Sequence, residues 1–380
     1  MSKKKVLIFI DWYLPGYKAG GPIQSVANLV ANLTDEFDFS VVTRDTDYCE
    51  ILPYTNIKSN EWNILPDGNR VYYFSDSQLN RANIRNLIRK ENFDAVYLNG
   101  IYSLYFTLIP LYYLRKKHEK TVVIAGRGMF AASALNVKKT KKKFFLRAAK
   151  VLSLFDKVLF HATNENEKKE IIKVLGDTVT VRVAANLPQK MNITGLSERI
   201  KFSGAVKLVN IARIAPEKNL LFALQILKLV KTNVEFDFYG PVYSQEYWKE
   251  CKEALDELPS NIKASYKGSI ESDKVLEQLK NYHFMFMPTR GENFGHIILQ
   301  SLSVGCPVII SNKTPWLGLK EKNVGWDISL DEQGKYADVI EQCANMEQNE
   351  FNTMSKASFT FASDYINNKE ILEQNRHLFI

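Results

Sequence analysis

Short apolar runs alternate with longer amphipathic segments along the whole chain. In the first half, Gly21–Leu33 and Ser77–Lys90 have the apolar spacing of helices that bury one face. The runs that predict strands around them are Val6–Ile10, Phe39–Thr43, Val71–Phe74, Ala95–Leu98, Val122–Ala125, Lys157–His161 and Val179–Val183. Because this alternation requires crossover connections, it predicts a parallel sheet covered on both faces.

A second alternation begins after Asn186–Gly204, a stretch with Pro188 and two glycines that predicts an interdomain connection. Its strands are predicted at Lys207–Ile211, Glu235–Tyr239, Ala264–Lys267, Phe284–Pro288 and Val308–Ser311. Its helices are predicted at Asn219–Val230, Gln245–Glu257, Asp273–Asn281 and Phe294–Val304. The pattern indicates an α/β protein of two Rossmann-like domains, with a ligand cleft expected between the carboxyl ends of their sheets.

Length agrees with this division, since 380 residues exceed one ordinary core. We expect domains at 1–189 and 190–357, and a C-terminal helix at 358–380 that crosses back to the first domain. The 46% hydrophobic and 24% charged residues are typical of a soluble globular protein.

Cysteine usage and hydropathy favour a cytoplasmic protein. The four cysteines lie far apart without a C-x-x-C pair, which argues against a disulfide framework or a zinc site. The longest uncharged stretch, Ile101–Leu114, is shorter than the ~20 residues of a membrane span. We therefore expect no segment to cross a membrane.

The net charge of +8 is concentrated in the first half, where residues 1–189 hold 28 Lys+Arg and 18 Asp+Glu. No acidic residue occurs from Gly128 to Phe155, a stretch that includes the basic run Lys138–Lys150. This run is either a solvated helix face or a surface for anionic lipid, which Phe144 and Phe145 would suit. Nucleic acid is not expected as a partner, because aromatic residues do not interleave with the lysines.

The first candidate site is the turn Pro15–Pro22, between the first strand and its helix. Gly20 and Gly21 would let backbone amides approach a phosphate, and the following helix N-terminus favours an anion. A tight turn alone also explains a Gly-Gly pair. The segment has neither the GxGxxG nor the Walker A pattern.

The second candidate is Val209–Asn219, where a strand runs into Arg213 and Lys218 just before a helix. Two cations at the carboxyl end of a strand could grip a diphosphate, arginine as a planar fork and lysine as a point charge. A solvent-exposed pair of cations in a loop is the alternative.

The third candidate is Pro288–Leu302, which is followed by the strand-like Gly305–Ile309. A strand ends in a polar turn containing Glu292, and a helix is expected to start near Phe294, with free amides near Gly295. Two turns further along lies Gln300.

Together these motifs resemble glycosyltransferase family 4, the retaining GT-B enzymes. The chain shares with them the Gly-Gly turn, the R-x-x-x-x-K-N element, the E-x-F-G sequence and the G-x-P-V-I strand. The segment Gly291–His296, with Thr314–Trp316 and Gly325-Trp326, is similar to a subgroup encoded in bacterial surface-polysaccharide (O-antigen or capsule) gene clusters.

The resemblance implies roles for individual residues. Arg213 and Lys218 would hold the donor diphosphate, and Glu292 the hydroxyls of the donor sugar. Further donor-binding residues would be Asn293, Phe294, Gly295 and Gln300 in the second domain, and Gly20, Gly21 and Arg127 in the first. Gln300 replaces a glutamate that usually binds the ribose in the family, and Arg127 stands roughly where many relatives have a histidine.

The implied reaction transfers a sugar, with retention, from a nucleotide-sugar donor to a glycan or polyprenyl-linked acceptor, without a metal. Asp45-Thr46-Asp47 does match the D-x-D metal pattern of the other glycosyltransferase fold. His161 is interpreted as a core residue, and supporting roles are expected for Thr163, Glu167 and Asn186.

Two other functions fit the same architecture. A nucleotide-sugar 2-epimerase is one, although the Arg213, Lys218 and Glu292 arrangement is closer to the transferases. A GT-B scaffold that binds nucleotide or glycan without turnover is the other, with Gln300 as its sign.

Overall fold

The structure is a computed structural model that describes residues 3–115, 120–131, 139–190, 196 and 198–380. Its contacts divide the chain into two units, Met1–Lys190 with Asn368–Ile380, and Met191–Asn367. The expected boundary at residue 357 falls inside a helix, Gln348–Ile366, that belongs to the second unit as a whole. Residues 191–195 and 197 of the predicted connection lie outside the described residues.

The first unit contains an eight-stranded sheet in the order β3-β4-β2-β1-β5-β6-β7-β8. Its strands are β1 (Lys4–Phe9), β2 (Phe37–Arg44), β3 (Trp62–Ile64), β4 (Arg70–Phe74), β5 (Ala95–Asn99), β6 (Thr121–Ala125), β7 (Leu159–Ala162) and β8 (Thr180–Val183). All pairings are parallel except that of β3 with β4. All five residues of β5 are buried, as expected where helices cover both faces. The apolar runs did not predict β3, a short edge strand.

Helices of this unit follow its strands. They are α1 (Gly21–Leu33), α2 (Arg81–Lys90), α3 (Ile109–Leu114), which a π-helical turn (Leu104–Leu108) precedes, α4 (Lys139–Val151) and α5 (Glu165–Leu175). The strand order reverses between β1 and β5, so the loops after these strands leave in opposite directions. Ligands of such folds bind at the carboxyl ends of the strands beside this reversal.

The second unit contains a six-stranded, all-parallel sheet in the order β11-β10-β9-β12-β13-β14. Its strands are β9 (Ala205–Ile211), β10 (Asn233–Tyr239), β11 (Ile262–Tyr266), β12 (Phe284–Met287), β13 (Val308–Ser311) and β14 (Gly325–Ile328). Its helices are α6 (Leu220–Leu227), α7 (Gln245–Asp256), α8 (Val275–Leu279), α9 (His296–Ser303), α10 (Gln333–Asn345) and α11 (Gln348–Ile366). The sheet order reverses between β9 and β12. The short strand β14, which contains glycine and aspartate, was not predicted.

A last helix, α12 (Lys369–Arg376), belongs to the first unit. After this helix in the chain, the ring centre of Phe379 lies 5.4 Å from that of Phe37 and 5.9 Å from that of Tyr97. The Asn375 amide donates a hydrogen bond to the carbonyl of Ala185 at 2.7 Å. These contacts attach the end of the chain to the sheet of the first unit.

In the second unit a buried arginine holds the C-terminal end of α9. The Arg199 guanidinium donates to the carbonyls of Val304, Gly305 and Lys280 at 2.5, 2.6 and 2.9 Å. A cation is favourable there because the last carbonyls of a helix carry partial negative charge. The opposite end of α9 therefore has a defined position at the carboxyl edge of the sheet.

Candidate functional site

The reversal of strand order in the second unit brings two predicted site residues into contact. Lys218 ends a 3-10 turn (Pro216–Lys218) in the loop after β9, and Glu292 lies in the loop after β12. Their Nζ and Oε1 atoms are 2.5 Å apart, with side chains 17% and 12% exposed. The contact is a charge-assisted hydrogen bond at the edge of the sheet where ligands of this fold bind.

Arg213, the other predicted cation, is held by residues that the motif did not single out. Its Nη2 lies 3.2 Å from Glu217, and its guanidinium is 5.0 Å from the ring centre of Tyr243. Gly240 lets the loop that carries Tyr243 approach the backbone next to Arg213, because a Cβ at position 240 would lie 1.9 Å from the Ala212 carbonyl oxygen. The arginine side chain is 30% exposed, so it combines a fixed position with access to a ligand.

Helix α9 begins at His296, so the expected start at Phe294 is two residues early. Gly295 precedes the helix with φ 78°, and a Cβ there would lie 2.7 Å from a side-chain carbon of Ile298, so the position requires glycine. Phe294 is buried, and its carbonyl accepts a hydrogen bond from Trp316 Nε1 at 2.5 Å. The N-cap residue, Gly295, has no side chain that could bond the first N–H groups of the helix, and such an N-terminus is a favourable place for an anion.

The remaining candidates of the second unit lie on either side of this helix start. Asn293 is half-buried in the loop, next to Glu292. Gln300 is buried in the second turn of α9, and its backbone carbonyl accepts a hydrogen bond from the Ser303 hydroxyl at 2.8 Å.

In the first unit, Gly20 and Gly21 lie at the start of α1, as the motif predicted. Gly20 has φ 71°, a conformation that favours glycine, and a Cβ on either residue would meet no atom within 4 Å. The loop before them is anchored by Asp47, whose carboxylate accepts the backbone N–H groups of Tyr17 at 3.0 Å and Lys18 at 3.2 Å.

The D-x-D pair is thus engaged within its own unit. Asp47 also accepts the N–H of Tyr48 at 2.7 Å, and Asp45 accepts the Ser59 hydroxyl at 2.7 Å. Across the described ranges, no group of three His, Cys, Asp or Glu residues is placed to hold a metal ion. Metal independence stays a prediction.

Arg127 lies after β6 with φ 51°, a backbone conformation that is uncommon for a residue with a side chain. Its Nε donates to Asn99 at 2.8 Å, its Nη1 to Asn186 at 2.5 Å and its Nη2 to the Tyr97 hydroxyl at 2.8 Å. A guanidinium has five N–H groups, so these bonds to described residues leave two that could reach a ligand. The expected supporting role of Asn186 corresponds to one of these bonds.

Glu167 holds the Gly-Arg-Gly turn from the other side. Its carboxylate accepts the N–H of Gly128 at 2.6 Å, and the N–H and hydroxyl of Thr163 at 2.7 Å each. Both Glu167 and Thr163 are buried. They contribute to the backbone conformation that carries Arg127.

His161 is buried and hydrogen-bonded, as its interpretation as a core residue predicts. Its Nε2 lies 2.8 Å from the carbonyl of Ala184, and its Nδ1 lies 2.8 Å from the Tyr97 hydroxyl. Because a carbonyl only accepts, Nε2 carries the proton and Nδ1 accepts from tyrosine. Burial lowers the pKa of His161 to about 3, and the charge of Arg127 acts in the same direction.

We predict that His161 makes the free energy of unfolding depend on pH. An unfolded histidine has a pKa of about 6.5, so between pH 6.5 and 3 the unfolded chain binds a proton that the folded chain does not. Stability therefore falls as the pH falls, by up to about 1.4 kcal/mol per pH unit. Denaturant unfolding of His161→Gln between pH 6.5 and 4.5 should show a slope smaller by about this amount.

His283→Gln is the matched comparison in the second unit, since burial lowers the pKa of His283 to about 4. It should reduce the slope similarly. Equal slopes for wild type and His161→Gln would contradict the neutral, buried state of this side chain.

Comparisons with known proteins add to this geometry. Residues 197–357 match the family Glycosyl transferases group 1. A segment of 103 residues, 27% of this chain, is 25% identical to the sulfoquinovosyl transferase SQD2 of Arabidopsis thaliana and spans 18% of that protein's length.

Several solved structures resemble the whole chain. HepE from Anabaena, in complex with UDP and glucose, has a TM-score of 0.70 and 15% identity, covering 99% of this chain and 98% of that one. Sucrose-phosphate synthase from Thermosynechococcus elongatus has a TM-score of 0.72 and 13% identity, covering 100% and 98%. These likenesses establish the predicted α/β GT-B fold with two Rossmann-like domains. Within that fold, residues 197–357 form a domain of the family Glycosyl transferases group 1.

Proposed function

We propose that this protein is a retaining glycosyltransferase that moves a sugar from a nucleotide-sugar donor to a glycan or lipid-linked glycan in polysaccharide biosynthesis. The observation that carries the proposal is the contact of Lys218 with Glu292 at the reversal of strand order in a group 1 domain. The HepE structure with UDP and glucose supports a nucleotide sugar as the donor class.

Each residue of the second unit has a part in this reaction. Lys218 and Arg213 stabilise the negative charge that grows on the leaving diphosphate as the glycosidic bond breaks. Glu292 accepts hydrogen bonds from hydroxyls of the donor sugar, and its bond to Lys218 keeps both groups at one place. The N-terminus of α9, at Phe294 and Gly295, faces the phosphates.

Retention follows a front-face route. The acceptor hydroxyl forms the new bond to the anomeric carbon on the side from which the diphosphate leaves, and a diphosphate oxygen takes its proton. No protein nucleophile is required, and cationic groups are sufficient to assist departure. Asn293 and Gln300 are proposed as further donor ligands, the latter on the ribose, and Gly20, Gly21 and Arg127 as phosphate ligands of the first unit.

A thermal-shift screen of nucleotide sugars, UDP-sugars first, tests the donor class. A ligand at 100 times its dissociation constant should add about 2.7 kcal/mol to the free energy of unfolding. Release of free nucleotide from that ligand distinguishes a transferase from a scaffold, which would release it intact. Failure of every nucleotide sugar to stabilise the protein would refute the proposal.

We predict that Arg213→Ala and Lys218→Ala each lower kcat/KM for the identified donor by about 10- to 1,000-fold, because each removes stabilisation of the leaving group. Steady-state kinetics measure the effect, and unfolding curves check that the variants fold. Lys249→Ala is the control, since Lys249 is exposed on α7 and pairs only with Glu253 among the described residues. Wild-type turnover in both site variants would eliminate the assignment.

We predict opposite outcomes for two exchanges between acid and amide. Glu292→Gln should reduce turnover strongly, because it removes the carboxylate that binds both Lys218 and the donor sugar. Gln300→Glu should leave turnover intact or tighten nucleotide binding, because position 300 reaches only the ribose. Calorimetric titration with the nucleotide, alongside kinetics, measures both. Abolished binding in Gln300→Glu would show that the pocket is built around the amide.

We also propose that the basic run Lys138–Lys150 docks the protein on an anionic membrane surface, where a lipid-linked acceptor is held. Lys138 lies outside the described residues, and α4 begins at Lys139. On this helix Phe144 is 77% exposed and Arg147 is exposed. Exposed aromatic and basic side chains together suit a lipid interface. No helix among the described residues is long and apolar enough to span a membrane.

We predict that the protein binds vesicles containing phosphatidylglycerol, and that binding falls as salt rises because screening shortens the electrostatic range. Replacing Lys141, Lys142 and Lys143 by Gln should weaken binding by several-fold, at about 1 kcal/mol per basic residue near the surface. Sedimentation with vesicles measures it. The control replaces Lys168, Lys169 and Lys173 of α5, which removes the same charge elsewhere in the unit. Equal recovery of both triple variants would leave α4 an ordinary solvated helix.

A further inference from the structure

We propose that Asn219 is a positioning residue that sets the geometry of the Lys218–Glu292 pair. The inference rests on the roles proposed for those two residues. Asn219 directly follows Lys218, is 3% exposed and has φ 62° and ψ 36°. This left-handed conformation turns the chain from the 3-10 turn into α6, and asparagine tolerates it better than most residues.

The amide of Asn219 bridges to the loop that carries Glu292. Its Nδ2 donates to the carbonyl of Pro288 at 3.0 Å, and its Oδ1 accepts from Arg290 Nε at 3.1 Å. Only one orientation of the amide satisfies both partners, because the carbonyl can only accept and the guanidinium can only donate. The side chain therefore fixes two points of the loop, on the N-terminal side of Glu292.

Glu217, the residue before Lys218, strengthens the same connection. The backbone carbonyl of Glu217 accepts the N–H of Arg290 at 2.9 Å and the hydroxyl of Thr289 at 3.1 Å. Four hydrogen bonds thus join residues 217 and 219 to residues 288–290. Lys218 lies between residues 217 and 219, and Glu292 follows Arg290 by two residues. The distance between the Lys218 and Glu292 side chains therefore depends on these hydrogen bonds.

The bridge is needed because the pairing of β9 with β12 stops before either strand ends. Strands β9 and β12 pair at Leu208 with Phe284 and at Val209 with Met285. Beyond these rungs, the side-chain amide of Asn210 donates to the Phe286 carbonyl at 2.8 Å, and that of Asn219 donates to Pro288. Where the backbone hydrogen bonds between β9 and β12 stop, side-chain amides thus take their place. They bond to alternate carbonyls of β12 and the loop that follows it.

Substitution by glycine separates the contribution of the side-chain amide from that of the backbone conformation. Asn219→Gly retains the left-handed conformation without strain but deletes both side-chain hydrogen bonds. Asn323→Gly is a matched control, since Asn323 has φ 55° in an exposed turn of the same unit. A residue needed only for its backbone conformation would tolerate both changes.

The test is a double-mutant cycle on the pair, measured by denaturant unfolding of Lys218→Met, Glu292→Gln and the double variant. It is repeated with Asn219→Gly and with Asn323→Gly in the background. We expect a favourable coupling in the wild type and with Asn323→Gly, and a coupling reduced by at least half with Asn219→Gly. A role confined to global stability would lower all unfolding energies and leave the coupling unchanged.

An unchanged coupling with Asn219→Gly, or no coupling in the wild type, would overturn the inference whatever the protein catalyses. Donor turnover separates the two proposals. If the coupling falls as expected but no nucleotide sugar is turned over by the wild type, the positioning by Asn219 stands and the proposed function fails.

Discussion

Parallel strand pairing is the constraint on which the rest of this structure depends. Parallel strands require crossovers, and crossovers place every carboxyl end at the same edge of a sheet. Where the order reverses, between β1 and β5 in one unit and between β9 and β12 in the other, adjacent loops separate and leave space. In the second unit, Lys218 and Glu292 lie in the loops that follow β9 and β12, and hydrogen bonds of Glu217 and Asn219 hold these two loops together near the sheet. Their contact is thus a consequence of topology as much as of the motif.

Each predicted cation of the second unit is held by an acid before any ligand binds. Arg213 pairs with Glu217 and Lys218 with Glu292, which orders two long side chains within the folded protein. The conformational entropy of these side chains is therefore lost on folding and not on ligand binding. In the proposed reaction Glu292 would repel a bare phosphate, whereas the hydroxyls of a donor sugar would satisfy its oxygens. For a donor of the proposed class, this pairing favours the nucleotide sugar over the nucleotide alone.

Apolar runs were a sufficient signal for β5 and β13, in which every residue is buried. They failed for β3 and β14, which are short and lie at or near sheet edges. The start of α9 was predicted two residues early because apolar periodicity includes Phe294, although the chain becomes helical only after the left-handed Gly295. The bridge of Asn219 could not be predicted, since its partners lie 69 and 71 residues away.

Buried polar side chains hold the loops of both units where backbone pairing stops. Asp47 accepts two N–H groups of the Gly-Gly loop and one of its own loop, Glu167 accepts three donors around Arg127, and Asn219 bridges the loops of Lys218 and Glu292. A loop that leaves a parallel strand has lost its ladder partners, so its backbone groups need another source of hydrogen bonds. One carboxylate or amide side chain can supply several of these hydrogen bonds from a single position. These hydrogen bonds explain why the polar side chains are buried. They also hold the candidate ligand-binding residues in place where no strand pairing does so.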